Sequence, residues 1–381
     1  MLTQAVVLSA LAAMGLALHV TTNTAIDTRP ATDSLTETMQ AMAYQDHGGI
    51  DVLQLQTDYP KPVPRDNQVL VKVKASALNP VDFKLRRNPV PSFLIPKPKI
   101  VGFDVAGEIV QVGKDVKNFQ VGDRVAAMMP LLGSKWGALA EYAAVDESFL
   151  GKLGDDSSID YPSAASLPLA ALTAMQNLKK LDNPQGKKIL IQAGAGGVGT
   201  LAIQYAKNAL GMYVACTASA AKADFLKDHL GADLVVDYRA QNFEDVIQDY
   251  DAVLDSMSFL YEARTLGAGS KVLKSDGHYL NILSSDWSFH DGKEDAIGLL
   301  SATNYLKSMV GRLFFGAKVL PKYDLTYVRP NGKDLQEVLD LVRDGTIRPV
   351  VDKIYPLAEA KEAMKYLETG RATGKVVLSH E

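Results

Sequence analysis

Three glycines at G-x-G-x-x-G spacing, Gly194, Gly196 and Gly199, close the stretch "KKILIQAGAGGVG", and these residue types at this spacing can hold a nucleotide. The first glycine permits a sharp turn, the second lets backbone approach a pyrophosphate, and the third lets a helix pack close to the strand before it. The helix start supplies unpaired N–H groups and a positive dipole end for phosphate. Because a glycine-rich loop is often only a turn, its surroundings decide. An apolar run precedes it and "TLAIQYAKNALG" follows. Beyond lie "MYVACTA", "DLVVDY", "YDAVLDS" and "GHYLNIL", with helical sequence such as "KADFLKDHLGA" between the first pair. Strands alternating with helices predict an α/β domain built on a doubly wound parallel sheet that binds a dinucleotide.

The end of the second strand tells which dinucleotide. An Asp or Glu about 20 residues beyond the first glycine would hold the ribose hydroxyls of NAD. Here the strand end reads "ACTASAAKAD", with no acidic residue between Gly194 and Asp224. Ser219 and Lys222 stand there instead, a hydroxyl and a cation where a 2′-phosphate would lie. NADPH is the expected cofactor.

With 381 residues, 47% of them hydrophobic, the chain has material for two cores. A net charge of -4 gives no basic footprint for nucleic acid. The one cysteine, Cys216, excludes an internal disulfide and any multi-cysteine zinc site. At the N-terminus "AVVLSALAAMGLALHV" is nearly all apolar and no charged residue precedes Asp27. It is shorter than the ~20 residues of a spanning helix and suits a signal core or a marginal anchor, so membrane association or targeting is expected. A Thr-rich polar linker follows, and folded sequence is expected from Met39.

From about Gln40 to Tyr161, runs such as "QVLVKVKASALNP", "FDVAGEIVQVG" and "VGDRVAAMM" alternate valines between Gly, Pro and Asp. They predict a compact, curled β domain. Two domains then face each other across a cleft, the expected active site.

In their order and spacing "ALNPVDFKLR", "GFDVAGEIVQVG", "GDRV", "GALAEYAAV" and "AGAGGVG" resemble the medium-chain dehydrogenase/reductase superfamily, and more closely its zinc-independent quinone oxidoreductase and alkenal/enone oxidoreductase branch. The similarity runs from about Met39 to the C-terminal "ATGKVVL". It implies a GroES-like β domain wrapped around a Rossmann domain. The expected division is a leader and linker over 1–38, a GroES-like catalytic domain over 39–165, a Rossmann NADPH-binding domain over 166–330 and a return segment over 331–381 that completes the catalytic domain. A homodimer through the edge of the nucleotide sheet is common in such families.

In zinc-dependent members of this superfamily, a Cys opens the segment that here reads "NPVDFK", a His stands in what here reads "GFD", and a second Cys falls within "LPLAALT". Those positions are Pro80, Phe103 and Leu169. The six histidines are scattered, with none at ligand spacing. No metal is expected, and the chemistry narrows accordingly. Hydride added to an isolated carbonyl leaves a localised alkoxide, whereas hydride added to the β-carbon of an α,β-unsaturated carbonyl leaves a delocalised enolate that a few aimed donors can stabilise. Quinones accept hydride for the same reason. The expected substrate is an enone, enal or quinone.

The resemblance also assigns residues. It places Asn79 and Thr173 beside the nicotinamide, Gly196, Gly197 and Val198 in the phosphate loop, Lys222 and Tyr238 at the 2′-phosphate and ribose, and Arg371 at the adenosine phosphate. Asp82, Lys84 and Tyr142 are candidates for enolate stabilisation. The segment 284–318, with "DWSFHDG", is expected to shape the substrate wall. None of the fifteen tyrosines has a lysine four residues on, which sets aside the short-chain dehydrogenases with their Y-x-x-x-K. Two further readings stay open. One is a trans-2-enoyl thioester reductase, for which "FKLRRN" would supply a basic entrance. The other is a non-catalytic, membrane-associated or trafficking protein that binds NADPH.

Overall fold

The computed structural model describes residues 37–87, 94–154, 158–257, 259–282 and 321–380. The apolar leader, most of the Thr-rich linker and the expected substrate wall at 284–318 lie outside the described residues.

The first part of the chain is β-rich. It runs through β1 (Thr38–Tyr44), β2 (Gln54–Pro60), β3 (Gln68–Leu78), α1 (Pro80–Arg87), β4 (Lys99–Ile100), β5 (Asp104–Val112), β6 (Arg124–Met128), β7 (Tyr142–Asp146) and β8 (Leu150–Lys152). Strand β3 organises it. Its sequence QVLVKVKASAL alternates at first and is buried on both faces towards its end. Strand β5 pairs along one edge, and the other edge changes partner midway. Residues Gln68 to Lys72 pair with β7, and Ala75 to Leu78 pair with a strand from the far end of the chain, β16.

The middle of the chain adds α2 (Tyr161–Ala165), α3 (Pro168–Leu178), β9 (Lys188–Ile191), α4 (Gly197–Gln204), β10 (Tyr213–Ala218), β11 (Leu234–Asp237), α5 (Phe243–Val246), β12 (Tyr250–Asp255), α6 (Phe259–Leu266), β13 (Leu273–Ile282) and β14 (Lys322–Thr326). Strands β9 to β14 form one sheet in the order β11-β10-β9-β12-β13-β14. Every neighbouring pair in it is parallel. Runs such as KILI and YVACTA are apolar on both sides because helices cover both faces of such a sheet. The order reverses between β9 and β12, so the crevice at their carboxyl ends is where a ligand belongs. The glycine loop begins there.

The chain then returns through α7 (Gly332–Arg343), β15 (Val351–Pro356), α8 (Ala360–Glu368) and β16 (Lys375–Ser379). Helix α7 starts at Asn331, whose side chain accepts from the N–H groups of Lys333 and Asp334, and buries Leu335, Val338 and Leu339 on one stripe. Strands β15 and β16 extend the sheet of β3, β5, β6 and β8.

The turn before β16 stitches this returning chain to the nucleotide sheet. Gly374 N–H donates to Ala195 O at 2.9 Å, and Gly374 pairs with Gly196 as an isolated parallel bridge. Gly374 has φ +76°, and a Cβ on it would stand 2.2 Å from Val350 O. Both left-handed backbone and close approach demand glycine here. Gly374→Ala is expected to lower stability by about 3 kcal/mol. The denaturant midpoint reads it, and an unchanged midpoint contradicts the account.

Candidate active site

Three strand ends meet where the two sheets face each other. Asn79 follows the last residue of β3, Asp104 opens β5 opposite Ala77, and Lys375 opens β16, whose next residue Val376 pairs with Leu78. Register alone therefore brings the three side chains together. Asn79 Nδ2 donates to Asp104 Oδ2 at 2.8 Å. Lys375 Nζ donates to the same oxygen at 2.9 Å and to Asn79 Oδ1 at 2.5 Å. All three are buried, with Asp104 0% and Lys375 4% exposed. The other Asp104 oxygen accepts the N–H of Leu169 at 2.7 Å, in the first turn of α3, where a carboxylate also complements the helix dipole. One turn further along α3, Thr173 is buried, and its hydroxyl donates to Leu169 O at 2.7 Å.

The glycine loop lies on the other side of Lys375. A Cβ at Gly197 would stand 2.8 Å from Lys375 Cδ, so the lysine stem runs directly past the loop. The three fingerprint glycines have separate reasons to lack a side chain. At Gly194 a Cβ would meet Cys216 Sγ at 2.7 Å, and at Gly199 it would meet Ala193 O at 2.3 Å; both are packing constraints. At Gly196 the nearest atom would be 3.3 Å away. That atom, Ala193 O, is the one neighbour within 4 Å, so no side chain packs against Gly196. Helix α4 starts at Gly197 with no side chain capping it, which leaves its first N–H groups, from Gly197, Val198 and Gly199, unpaired within the helix. These features fit a pyrophosphate.

The residues expected at the 2′-phosphate and ribose lie at the ends of β10 and β11 and on the returning chain. Ser219 and Lys222 follow β10, and Tyr238 follows β11 with its N–H on Ala218 O at 3.2 Å, so the three occupy adjacent strand ends. Lys222 Nζ donates to the hydroxyl of Thr373. Thr373 lies two residues after Arg371 and next to Gly374, so this bond ties the end of β10 to the returning chain. Tyr238 is half exposed and Arg371 exposed, as suits contacts with a phosphate and ribose at the cleft rim.

The alcohol dehydrogenase GroES-like domain matches residues 65–155, and the zinc-binding dehydrogenase domain matches residues 230–378. The 2-methylene-furan-3-one reductase of Solanum lycopersicum is 37% identical over 354 residues, 91% of this chain and 80% of that protein. The NADPH-dependent alkenal/one oxidoreductase, chloroplastic, of Arabidopsis thaliana is 37% identical over 352 residues, again 91% of this chain and 80% of that protein. The solved structure of the quinone oxidoreductase from Coxiella burnetii superposes with a TM-score of 0.75 at 30% identity, covering 91% of this chain and all of that one. The chain belongs to the medium-chain dehydrogenase/reductase superfamily, in its quinone and alkenal/enone oxidoreductase branch.

As a member of that branch the chain has the α/β fold of a GroES-like domain joined to a Rossmann domain. The zinc in the second domain's description does not extend to the side chains in place. At the ligand positions, Pro80 opens α1, Phe103 is buried in the core, and Leu169 offers only its backbone N–H to Asp104. Among the described residues no group of three or more His, Cys, Asp or Glu could hold a metal.

The three residues proposed for enolate stabilisation fall in different places. Asp82, in the first turn of α1, is 3% exposed. Its Oδ2 accepts the N–H of Asn79 at 2.7 Å and its Oδ1 the N–H of Gly102 at 3.0 Å. It brackets the turns that carry Asn79 and Asp104, with both oxygens spent on backbone. Lys84 lies half-buried two residues on, and positions i and i+2 of a helix do not share a face. The structure does not bring Tyr142 to Asn79. It pairs with Lys72, roughly 20 Å back along β3, packs beside Ala41 and Tyr59, and has Lys61 Nζ 4.2 Å over its ring. A tyrosine in an alternating strand points to whichever face its register dictates, and here that face is the outer cluster.

Asp104, Thr373 and Lys375 escaped the sequence reading. Each stands in a quoted motif; for Asp104 and Lys375 the signal was a charge at the first position of an apolar strand, in "DVAGEIV" and "KVVL", and Thr373 carried none. Such a charge is either solvated or paired, and one sequence does not say which.

Burial pushes the Asp82 carboxyl up to about 7, with Asp104 adding to it, while the Asn79 and Gly102 N–H groups and Lys375 oppose the rise. The folded state thus holds this proton more tightly than the unfolded chain does, and the stability that follows is present at low pH and lost as pH rises from about 4 to about 7. The stability advantage of the parent over Asp82→Asn is expected to shrink across that range. Thermal melts of both proteins through the same buffers measure it. An advantage that grows with pH contradicts the burial argument.

Proposed function

We propose that this protein is an NADPH-dependent reductase, acting without a metal, that delivers hydride to the β-carbon of an enone or enal or to a quinone. The observation that carries the reading is the continuity of one path. Lys222 on the Thr373 hydroxyl, the glycine loop bridged at Gly196 to Gly374, the stem of Lys375 past Gly197 and the Asn79 amide follow one another from the rim to the buried end.

Bound NADPH supplies the hydride. The N–H groups at the start of α4 hold its pyrophosphate, Lys222 with Tyr238, Ser219 and Arg371 holds the 2′-phosphate and ribose, and Asn79 with Thr173 borders the reacting ring. The buried end carries no compact Lewis acid among the described side chains, because Asp104 and Lys375 neutralise each other. An amide donor is what it offers developing charge, which suits an enolate spread over three atoms better than a localised alkoxide. Asp82 contributes by fixing the Asn79 turn. Residues 39–165 and 331–381 serve as the catalytic unit and 166–330 as the nucleotide unit. Strand β14 ends the sheet among the described residues, and a second copy would pair through that edge.

The thioester alternative loses its support at the entrance. Arg86 is fully buried, donates to Gly48 O at 2.7 Å and pairs with Glu368 at 2.5 Å, and Arg87 pairs with the same carboxylate. Two of the cations in "FKLRRN" are thus held by one acid of α8. Among the described residues no helix is long and apolar enough to cross a membrane. The leader lies outside them, and its proposed role, from its apolar sequence, is to direct or tether the chain to an NADPH-containing compartment.

The test is oxidation of NADPH and of NADH, with EDTA present, by an enal, an enone, a quinone and a crotonyl thioester. Turnover is expected with NADPH and the first three acceptors. Lys222→Ala should raise KM for NADPH about tenfold or more, the scale of one charge-assisted phosphate contact, with little change for NADH. Equal effects on both cofactors, or preference for the thioester, overturn the reading.

A further inference from the structure

We infer that Lys375 is a positioning residue for Asn79: together with Asp104 it locks the side-chain amide in one orientation, so that an N–H faces the reacting groups. The inference rests on the hydride being delivered beside Asn79, as proposed above, and deepens that reading.

An Asn side chain looks nearly the same after a half-turn about its last bond, and its hydrogen bonds decide which end is which. Here the bonds are to opposite charges. Oδ1 lies 2.5 Å from the Lys375 ammonium and Nδ2 lies 2.8 Å from the Asp104 carboxylate. The half-turned amide would set N–H against ammonium and oxygen against carboxylate, both repulsive, in a place almost closed to water. One orientation survives.

The bond count then leaves a donor. Nδ2 carries two N–H groups and Asp104 takes one. The second has no protein acceptor among the described residues. A buried donor without a partner is costly, and the cost disappears when a ligand oxygen arrives. The cation on Oδ1 further polarises this N–H towards such an oxygen.

The backbone is arranged for the lysine to do this. Gly374 lets the chain turn into β16, antiparallel register sets Lys375 across from Asn79, and Gly197 leaves room for the lysine stem. Asp104 is in turn fixed by Leu169 N–H, so the pair is held from both domains.

Two full-length variants test the inference. Lys375→Met keeps the stem and removes the charge; Lys375→Met/Asp104→Asn also removes the carboxylate that would otherwise be left buried and unpaired, and it stands in if the single variant does not fold. The first readout needs no substrate. In parent protein with labelled nitrogen, the two Asn79 side-chain N–H resonances, assigned by their loss in Asn79→Asp, are expected to be distinct and slow to exchange with water. In the double variant they should exchange faster. The second readout is a split. At saturating NADPH, single-turnover hydride transfer should fall about 100-fold, the scale of one oriented donor, while the NADPH dissociation constant from fluorescence titration changes less than about threefold. Adding Asn79→Ala to Lys375→Met should slow transfer no further than either alone, because the two act as one unit.

A raised dissociation constant with unchanged transfer rate would make Lys375 a cofactor ligand and overturn the inference. Parent-like resonances and rate in a folded double variant would overturn it too. If the parent reduces no acceptor, the proposed function falls, while the Asn79 resonances still decide whether Lys375 orients the amide.

Discussion

A lysine and an aspartate far apart in sequence meet in the buried seam between two sheets, and the other functional groups are arranged around that pair. Lys375 and Asp104 come from the first positions of two strands that flank β3 on opposite edges. Neither charge is tolerable there alone, since removing water from an unpaired ion costs several kcal/mol. Together they are mutually satisfied, and the bonds left over go to Asn79 and to the start of α3. A buried pair of this kind is weak as a source of stability and strong as a source of geometry, because it has few alternative arrangements. Here it sets the relation between the catalytic β domain, the glycine loop and the returning chain.

From that constraint the rest of the site follows in a chain of close approaches. The turn from Arg371 to Lys375 meets Lys222 through Thr373, meets the phosphate loop through Gly374 and meets Asn79 through Lys375. On the proposed reading, recognition at the adenosine end and orientation at the nicotinamide end are carried on one short piece of backbone. Asp82 plays a comparable part from the other side, clamping the backbone of Asn79 and Gly102. The side chains that resemble acids and bases in this site act chiefly on the protein's own amides, which suits a reaction in which the cofactor brings the hydride and the protein supplies placement.

How much of this was legible in the sequence depended on the range of the interaction. The glycine loop, the alternation of strands and helices, and the absence of an acid after β10 are local, and they led to the doubly wound sheet and to NADPH. The β-rich half was legible in its alternating valines, whereas its return segment was reached through resemblance, since no local pattern says that β16 will lie against β3. The pairing of Lys375 with Asp104 could not be read, because it exists only once the register of three strands is set. Tyr142 illustrates the same limit. The resemblance made it a candidate for enolate stabilisation, while the pairing of β7 with the first half of β3, rather than the second, turned it to the outer cluster. "FKLRRN" read as a basic surface, and burial of Arg86 against Glu368 removed much of that charge from the entrance.

The central claim is that hydride goes to a conjugated carbon because the buried end offers an amide donor to a delocalised anion. The most direct measurement is the position of the label after a single enone is reduced with NADPH carrying deuterium at the transferable hydrogen of the nicotinamide. The account predicts a saturated ketone with deuterium on the β-carbon. An allylic alcohol with deuterium on the former carbonyl carbon would contradict it.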